Sequence, residues 1–136
     1  MPTATNESTT VWTPRVLAIF RIMFGLLFFA HGLVKLYGLP AGAAPGHVAL
    51  LSLFGVAGLF EFVGGALIVL GLFTRPVAIL LSGEMAVGYF LVHAPQGFFP
   101  SLNNGELAIL YCFAFLYLGF AGAGPWCIDA LRRPAN

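Results

Sequence analysis

Four long apolar runs dominate the hydrophobic pattern of the chain. They cover residues 16–37, 47–73, 76–92 and 106–121, and segments rich in glycine and proline separate them. Each run is close to the roughly 17 to 25 residues that a helix needs to span a bilayer. None alternates polar and apolar positions, as the strands of a membrane barrel do. The pattern predicts an all-α polytopic membrane protein, folded as an antiparallel bundle of four transmembrane helices.

Polar tails flank this apolar part. Residues 1–14 are predicted to form a disordered tail, residues 15–131 a single membrane domain, and residues 132–136 a short C-terminal tail. Glu7 and Arg15 are the only charged side chains before the first run, which is too long for the apolar core of a secretory signal. We therefore expect the first run to remain in the membrane as an anchor.

The basic residues are distributed unevenly between the two sides of the predicted bundle. One side carries Arg15, Arg75, Arg132 and Arg133, whereas the other carries only Lys35. Cytoplasmic loops have an excess of lysine and arginine. Both termini and the tight FTRP turn are therefore predicted to be cytoplasmic, and the two longer loops are predicted to face outward.

Composition supports the same class of protein. Of the 136 residues, 60% are hydrophobic and 8% are charged, and the mean hydropathy is +0.94. Soluble domains carry about 25% charged residues, and a soluble fold of this size could not bury so much apolar surface. The expected surroundings are a lipid bilayer. A net charge of +1 without a basic cluster argues against nucleic acid as a partner.

The two cysteines, Cys112 and Cys127, are predicted to be packing residues. They lie 15 residues apart (127 minus 112). This separation corresponds to about 22 Å along a helix, which is too far for a disulfide. The sequence contains no CxxC motif, so dithiol chemistry by this chain alone is not expected.

Two ionisable residues are predicted to share the inner half of the membrane. At about 1.5 Å per residue, Arg21 lies about 9 Å into the first run and Glu84 about 13 Å into the third. Charged groups in lipid are costly and are usually paired. We therefore predict a structural ion pair between Arg21 and Glu84, which would fix the register of two helices.

A second group of ionisable residues falls in the middle and outer half of the bundle. At about 100° per residue, His31 and Lys35 share one face of the first helix. Groups of this kind can have tuned pKa values, and we interpret them as an outward-opening ligand pocket. The pocket candidates are His31, Lys35, Glu61, His93, Glu106, Phe28 and Tyr117. In the alternative, Lys35 snorkels to the surface and His31 makes a single interhelical hydrogen bond.

No metal site and no catalytic residue are assigned from the sequence. Imidazole and carboxylate groups suit several metals, but the chain has no HxxxH or ExxH pair on one helix.

Four segments carry a resemblance to a known family. They are RIMFGLLFFAHGLVKLYG in the first helix, FEFVGGALIVLGLFTRP across the second, GEMAVGYFLVHAPQGFFPSLNNGE from the third into the fourth, and GAGPWCID after it. In order and spacing the chain resembles the DoxX family of small four-helix bacterial and archaeal membrane proteins, from Arg15 to about Leu131. Most of the ionisable candidates lie within these segments.

The resemblance implies a plasma-membrane protein linked to redox metabolism. Some family members resemble a subunit of an archaeal thiosulfate:quinone oxidoreductase, and others are tied to oxidative-stress complexes with soluble partners. The leading hypothesis is a redox-associated membrane subunit that binds a quinone or another small molecule in the outward-facing pocket. Whether the chain is itself an enzyme is left open, and fold transfers more safely than function.

Two alternatives also stay open. One is a component for small-molecule or ion transport, which would need a homo-oligomer because four short helices leave little room for a pathway. The other is a non-catalytic membrane scaffold that recruits partner proteins, with the polar groups serving only to specify helix packing.

Overall fold

The computed structural model describes residues 4–132, with side chains from residue 9 onward, and this part of the chain is helical without strands. Its helices are α1 (Ala4–Tyr37), α2 (Leu53–Leu70), α3 (Thr74–Gly88), α4 (Pro100–Asn103), α5 (Glu106–Ala121) and α6 (Ile128–Leu131). A π-helix (Tyr89–His93) and a 3₁₀ turn (Ala94–Gln96) continue α3. The predicted all-α class is confirmed.

Three helices in the described part of the chain are long and apolar enough to cross a membrane. They occupy Thr9–Tyr37, Leu53–Leu70 and Thr74–Gln96. The fourth apolar helix, α5, has 16 residues, or about 24 Å at 1.5 Å per residue. Its bounds match the predicted fourth run.

The first helix begins earlier than the sequence predicted. The tail over residues 1–14 was expected to be disordered, but α1 starts at Ala4 and continues through Pro14. A nucleated helix gains one hydrogen bond for each residue it adds, and the guanidinium of Arg15 stacks over the ring of Trp12 at 5.2 Å. Residues 1–3 and 133–136, which belong to the two predicted tails, lie outside the described residues.

Capping residues make α2 shorter than the predicted run over residues 47–73. The Ser52 hydroxyl oxygen accepts a hydrogen bond from the Gly55 amide at 3.1 Å, which starts the helix. Gly71 adopts a left-handed conformation at φ 64°, and its amide donates to the carbonyl of Ile68. Glycine tolerates this conformation without a steric penalty, so the helix stops there.

Glycines allow α1 and α2 to pack with their backbones close together. A Cβ atom at Gly65 would lie 2.6 Å from the amide nitrogen of Phe29, and one at Gly32 would overlap the backbone of Phe62. The rings of Phe29 and Phe62 stack at 4.6 Å between these glycines. Small residues at such seams permit the close approach that stabilises helix pairs in membranes.

A second tightly packed pair consists of α3 and α5. The Ser82 hydroxyl donates to the carbonyl of Cys112 at 2.8 Å. Further along, Gly119 lies so close to Ile79 that a Cβ atom would overlap its side chain. Phe28 of α1 packs on this pair, and its ring centroid lies 4.7 Å from that of Phe115. The buried core therefore lies where α1 meets α3 and α5.

Polar caps join the helices at the end of the bundle that carries the FTRP turn, which we call the arginine end. The carboxylate of Asp129 accepts hydrogen bonds from the amides of Phe73 at 2.8 Å and Thr74 at 2.9 Å, capping α3. The guanidinium of Arg75 donates to the carbonyl of Phe120 at 2.7 Å, at the end of α5. Opposite charges thus sit at the helix ends that favour them.

The different surroundings of two glycines, Gly32 between α1 and α2 and Gly83 on α3, predict opposite effects for their alanine substitutions. Gly32→Ala should destabilise the protein by about 1 to 3 kcal/mol, as overpacking does, because its Cβ would meet the Phe62 backbone. Gly83→Ala should stabilise it by about 0.5 to 1 kcal/mol through helix propensity, because a Cβ there meets nothing within 4 Å. SDS-induced unfolding in mixed micelles measures the stability of both variants. Equal effects would contradict the close packing of Gly32 against α2.

The Asp129 cap predicts a pH-dependent stability. Desolvation raises the pKa of this carboxyl, but the hydrogen bonds from Thr74 and Phe73 and the charge of Arg132 outweigh it and lower the pKa below its usual value. The ionised form therefore stabilises the fold above the unfolded-state pKa of about 4. That contribution is lost as the pH falls through the lower pKa of the folded state.

Asp129→Asn keeps a capping oxygen and removes the charge. We expect its melting temperature to lie below that of the wild type from pH 5 to 8, and the difference to shrink below about pH 4. Thermal unfolding followed by circular dichroism measures it, and a difference independent of pH would contradict the assignment. Asp129→Ala, which removes the cap altogether, should cost about 1 kcal/mol and keep part of this loss at low pH.

Candidate functional site

A cavity of about 750 Å³ lies among α1, α2, α3 and α5, on the far side of the core from the arginine end. We call it the central cavity. Its walls are mostly apolar, and its ionisable or polar side chains are His31, Lys35, Glu61, Glu84, His93, Asn104 and Tyr111. The volume falls within the roughly 300 to 1,000 Å³ typical of small-molecule sites.

The strongest polar contact in the central cavity is the ion pair of Lys35 with Glu61. The ammonium of Lys35, on α1, contacts Oε1 of Glu61, on α2. Glu61 is 3% exposed. Gly58 makes room for the lysine stem, since a Cβ atom there would lie 2.8 Å from Cβ of Lys35. The structure thus pairs Lys35 inside the bundle, in contrast to the snorkelling alternative.

Glu84 lies in the central cavity and not against Arg21, so the predicted Arg21–Glu84 ion pair is wrong. Neither carboxyl oxygen of Glu84 has a hydrogen-bond partner in the described part of the chain. Within residues 9–132 the structure contains one salt bridge, that of Lys35 with Glu61. Glu84 therefore lines the cavity. Its distance along the helix, which was the only basis of the prediction, wrongly placed it beside Arg21.

Arg21 is fully buried and is bound by backbone carbonyls. Its guanidinium donates to Ile68 at 2.6 Å and to Val69 at the end of α2. It also donates to Ala123 and Trp126, each at 2.8 Å, in the segment after α5. The last carbonyls of a helix lack partners within the helix and carry partial negative charge. Four carbonyl oxygens, two of them at the end of α2, therefore satisfy the guanidinium without a carboxylate.

Aromatic rings form one wall of the central cavity. The ring centroid of Tyr111 lies 5.0 Å from that of Phe28 and 5.8 Å from that of His31. Tyr111 is not among the pocket residues predicted from the sequence, which on this helix are Glu106 and Tyr117. The spacing of the buried residues Tyr111, Ala114, Phe115 and Leu118 is the i, i+3, i+4, i+7 pattern that would have identified this face.

His93 reaches the central cavity because α3 ends in a π-helix. A continuous α-helix would place His93 about 180° from Glu84, whereas the wider π turn of Tyr89–His93 rotates less per residue. Both side chains line the cavity. The Nδ1 atom of His93 lies 2.9 Å from the carbonyl oxygen of Asn103, a contact that orients the ring.

Two of the predicted pocket residues lie elsewhere. Glu106 is exposed at the start of α5 and does not line the central cavity. Tyr117 is 56% exposed and packs on Phe20 at 6.1 Å, toward the arginine end. The other five candidates, Phe28, His31, Lys35, Glu61 and His93, line one cavity.

The central cavity contains groups that can form hydrogen bonds and exchange protons. It combines a lysine–glutamate pair, a second carboxyl group and two imidazoles with apolar walls. In the described range, no three histidine, cysteine, aspartate or glutamate side chains are grouped so that they could hold a metal ion. The side chains that line the site supply hydrogen-bonding and acid–base groups.

Comparisons with known proteins identify relatives. The family model for DoxX matches residues 16–94. A Haemophilus influenzae protein described as "Uncharacterized protein" is 44% identical over 122 residues, which cover 87% of this chain and 91% of the relative. A Bacillus subtilis protein described as "Putative oxidoreductase CatD" is 28% identical over 113 residues, 82% of either chain. No solved structure matches.

The carbonyl cradle of Arg21 predicts a large and specific loss of stability. Arg21→Lys should cost about 2 kcal/mol or more, because one ammonium cannot meet four carbonyls and charged hydrogen bonds contribute about 1.5 to 3 kcal/mol each. Glu84→Gln should change the stability by less than about 1 kcal/mol, since its carboxyl group has no such partner. SDS-induced unfolding of both variants and of the double variant measures the coupling. A coupling energy well above about 1 kcal/mol would show that Arg21 and Glu84 interact directly, and would contradict their separation in the structure.

Proposed function

Because the chain belongs to the DoxX family, we propose that it is a redox-associated subunit of the bacterial or archaeal plasma membrane that binds a quinone or a related small molecule in the central cavity. The observation that carries this proposal is the ion pair of Lys35 and Glu61, enclosed with His31 beside aromatic rings. The Bacillus relative carries the description "Putative oxidoreductase CatD", which supports the redox part.

The membrane arrangement that we propose is an antiparallel bundle of four transmembrane helices, with residues 15–131 as the membrane domain. Three helices are long enough to span, and α5 would span a thinned or locally covered part of the bilayer. Along the seam, Gly25 lies near Val69 and Lys35 near Gly58, so numbers rise on α1 as they fall on α2. The positive-inside rule supports cytoplasmic termini.

The residues of the central cavity fit a quinone ring. Phe28 and Tyr111 contribute aromatic atoms to the wall of the cavity, and a planar ring packs favourably against aromatic groups. Lys35 would hold an anionic or carbonyl oxygen of the ring, and His31 and Glu61 would exchange protons with it. The quinone, when bound, would supply the electron chemistry; a soluble redox partner would supply or remove the electrons.

The proposal predicts weaker ligand binding when the acid–base groups are removed. A benzoquinone with a decyl chain, tested in its oxidised and reduced forms, should bind purified protein in lipid nanodiscs. Glu61→Gln and His31→Ala should each weaken the binding of the better form at least tenfold, or about 1.4 kcal/mol. Isothermal titration calorimetry, corrected with empty nanodiscs, measures the affinity.

Matched variants outside the central cavity provide the controls. Glu106→Gln and His47→Ala change the same residue types at exposed positions, and both should retain the wild-type affinity. Unchanged binding in Glu61→Gln and His31→Ala would remove the site assignment. Unfolding of both variants, together with loss of assembly, would favour the scaffold alternative.

A further inference from the structure

Three carboxyl oxygens in the central cavity have no hydrogen-bond partner among the described residues. They are Oε2 of Glu61 and both oxygens of Glu84. Glu61 is almost fully buried, and its other oxygen contacts the ammonium of Lys35. An ionised carboxylate only accepts hydrogen bonds, and a buried acceptor without a donor is costly. Oε2 of Glu61 is therefore a position for a donating group of a ligand.

The central cavity opens between α2 and α3. These helices touch where Gly64 meets Leu81, since a Cβ at Gly64 would lie 2.6 Å from Cδ2 of that leucine. Residues of both helices beyond this contact line the cavity, and a Cβ at Gly83 would meet no atom within 4 Å. Phe54 on α2 and Leu91 in the π-helix that continues α3 line the cavity while remaining 44% and 58% exposed. Exposed lining residues on both helices mark the mouth.

Both walls of the mouth belong to helices that are long and apolar enough to span a membrane. In a bilayer, an opening between two such helices would face lipid. A compound that enters there would have to dissolve in the hydrocarbon region, and its apolar tail could stay between the helices after its head has entered. The cavity is thus lined both by the carboxylate of Glu61, whose Oε2 has no hydrogen-bond donor among the described residues, and by the apolar side chains of Phe54 and Leu91 at its mouth.

We propose that the ligand of the central cavity is a membrane-dissolved amphiphile of the quinol type, whose ring hydroxyl donates to Oε2 of Glu61 and whose apolar tail lies between α2 and α3. This inference rests on the proposed function and narrows its ligand from quinones in general to the hydroxyl-bearing, reduced form. A quinone carbonyl only accepts hydrogen bonds and leaves this carboxylate oxygen without a donor.

The proposed hydrogen bond from a ring hydroxyl to Glu61 is tested with three compounds that carry the same decyl chain. They are a benzoquinol, the corresponding quinone and the dimethyl ether of the quinol. Binding to wild-type protein in nanodiscs, without oxygen, should be at least tenfold tighter for the quinol than for the other two. Glu61→Gln should reduce this ratio below threefold, because its amide can donate to a carbonyl, while Glu106→Gln keeps it. Equal or tighter binding of the quinone or ether to the wild type overturns the inference, even where Glu61→Gln fails to fold.

The tail part is tested by filling the opening. Gly83→Leu should weaken binding of the decyl quinol at least tenfold and change that of hydroquinone without a tail less than twofold. Val63→Phe adds bulk at an exposed position of α2 outside the cavity and should alter neither. Equal losses for both probes, or no loss with the decyl quinol, overturn the lateral route.

The two proposals fail in different ways. If none of the three decyl compounds binds the wild type, the proposed function fails and the inference with it. If they bind without preference for the quinol, the proposed function stands and only the inference fails.

Discussion

Lipid offers no hydrogen-bond partner to a polar group, and the position of Arg21 follows from that constraint. Its guanidinium donates hydrogen bonds to carbonyls at the end of α2 and in the segment after α5, so three separate parts of the chain meet at one side chain. The caps made by Asp129 and Arg75 join the same end. Polar contacts therefore fix the arginine end, and the helices leave it in a defined arrangement.

Away from that end, small residues determine which helices approach one another. Gly32 and Gly65 bring α1 against α2, and Gly119 brings α5 against α3. Between α2 and α3 the described residues provide a close glycine contact at Gly64 but open space at Gly83. The central cavity occupies the space left among the two tightly packed pairs, and its ionisable groups lie in that space.

The sequence predicted the all-α class, the bounds of α5 and five residues of the central cavity, because apolar length and helical angle determine these features. It failed where an alternative partner decided the outcome. Depth counting paired Arg21 with Glu84, since a list of charges omits backbone carbonyls as partners. His93 does line the cavity as predicted, although it reaches the cavity through a π-helix that α-helical periodicity does not predict.

The carbonyl partners of Arg21 also bear on how the protein is made. Ile68 lies 47 residues after the arginine, and Trp126 lies 105 residues after it. As the ribosome releases the chain from its N-terminus, α1 enters the membrane with a guanidinium whose partners have not been synthesised. The first helix must therefore wait, with its charge held by water, lipid headgroups or the insertion machinery, until the last helices arrive.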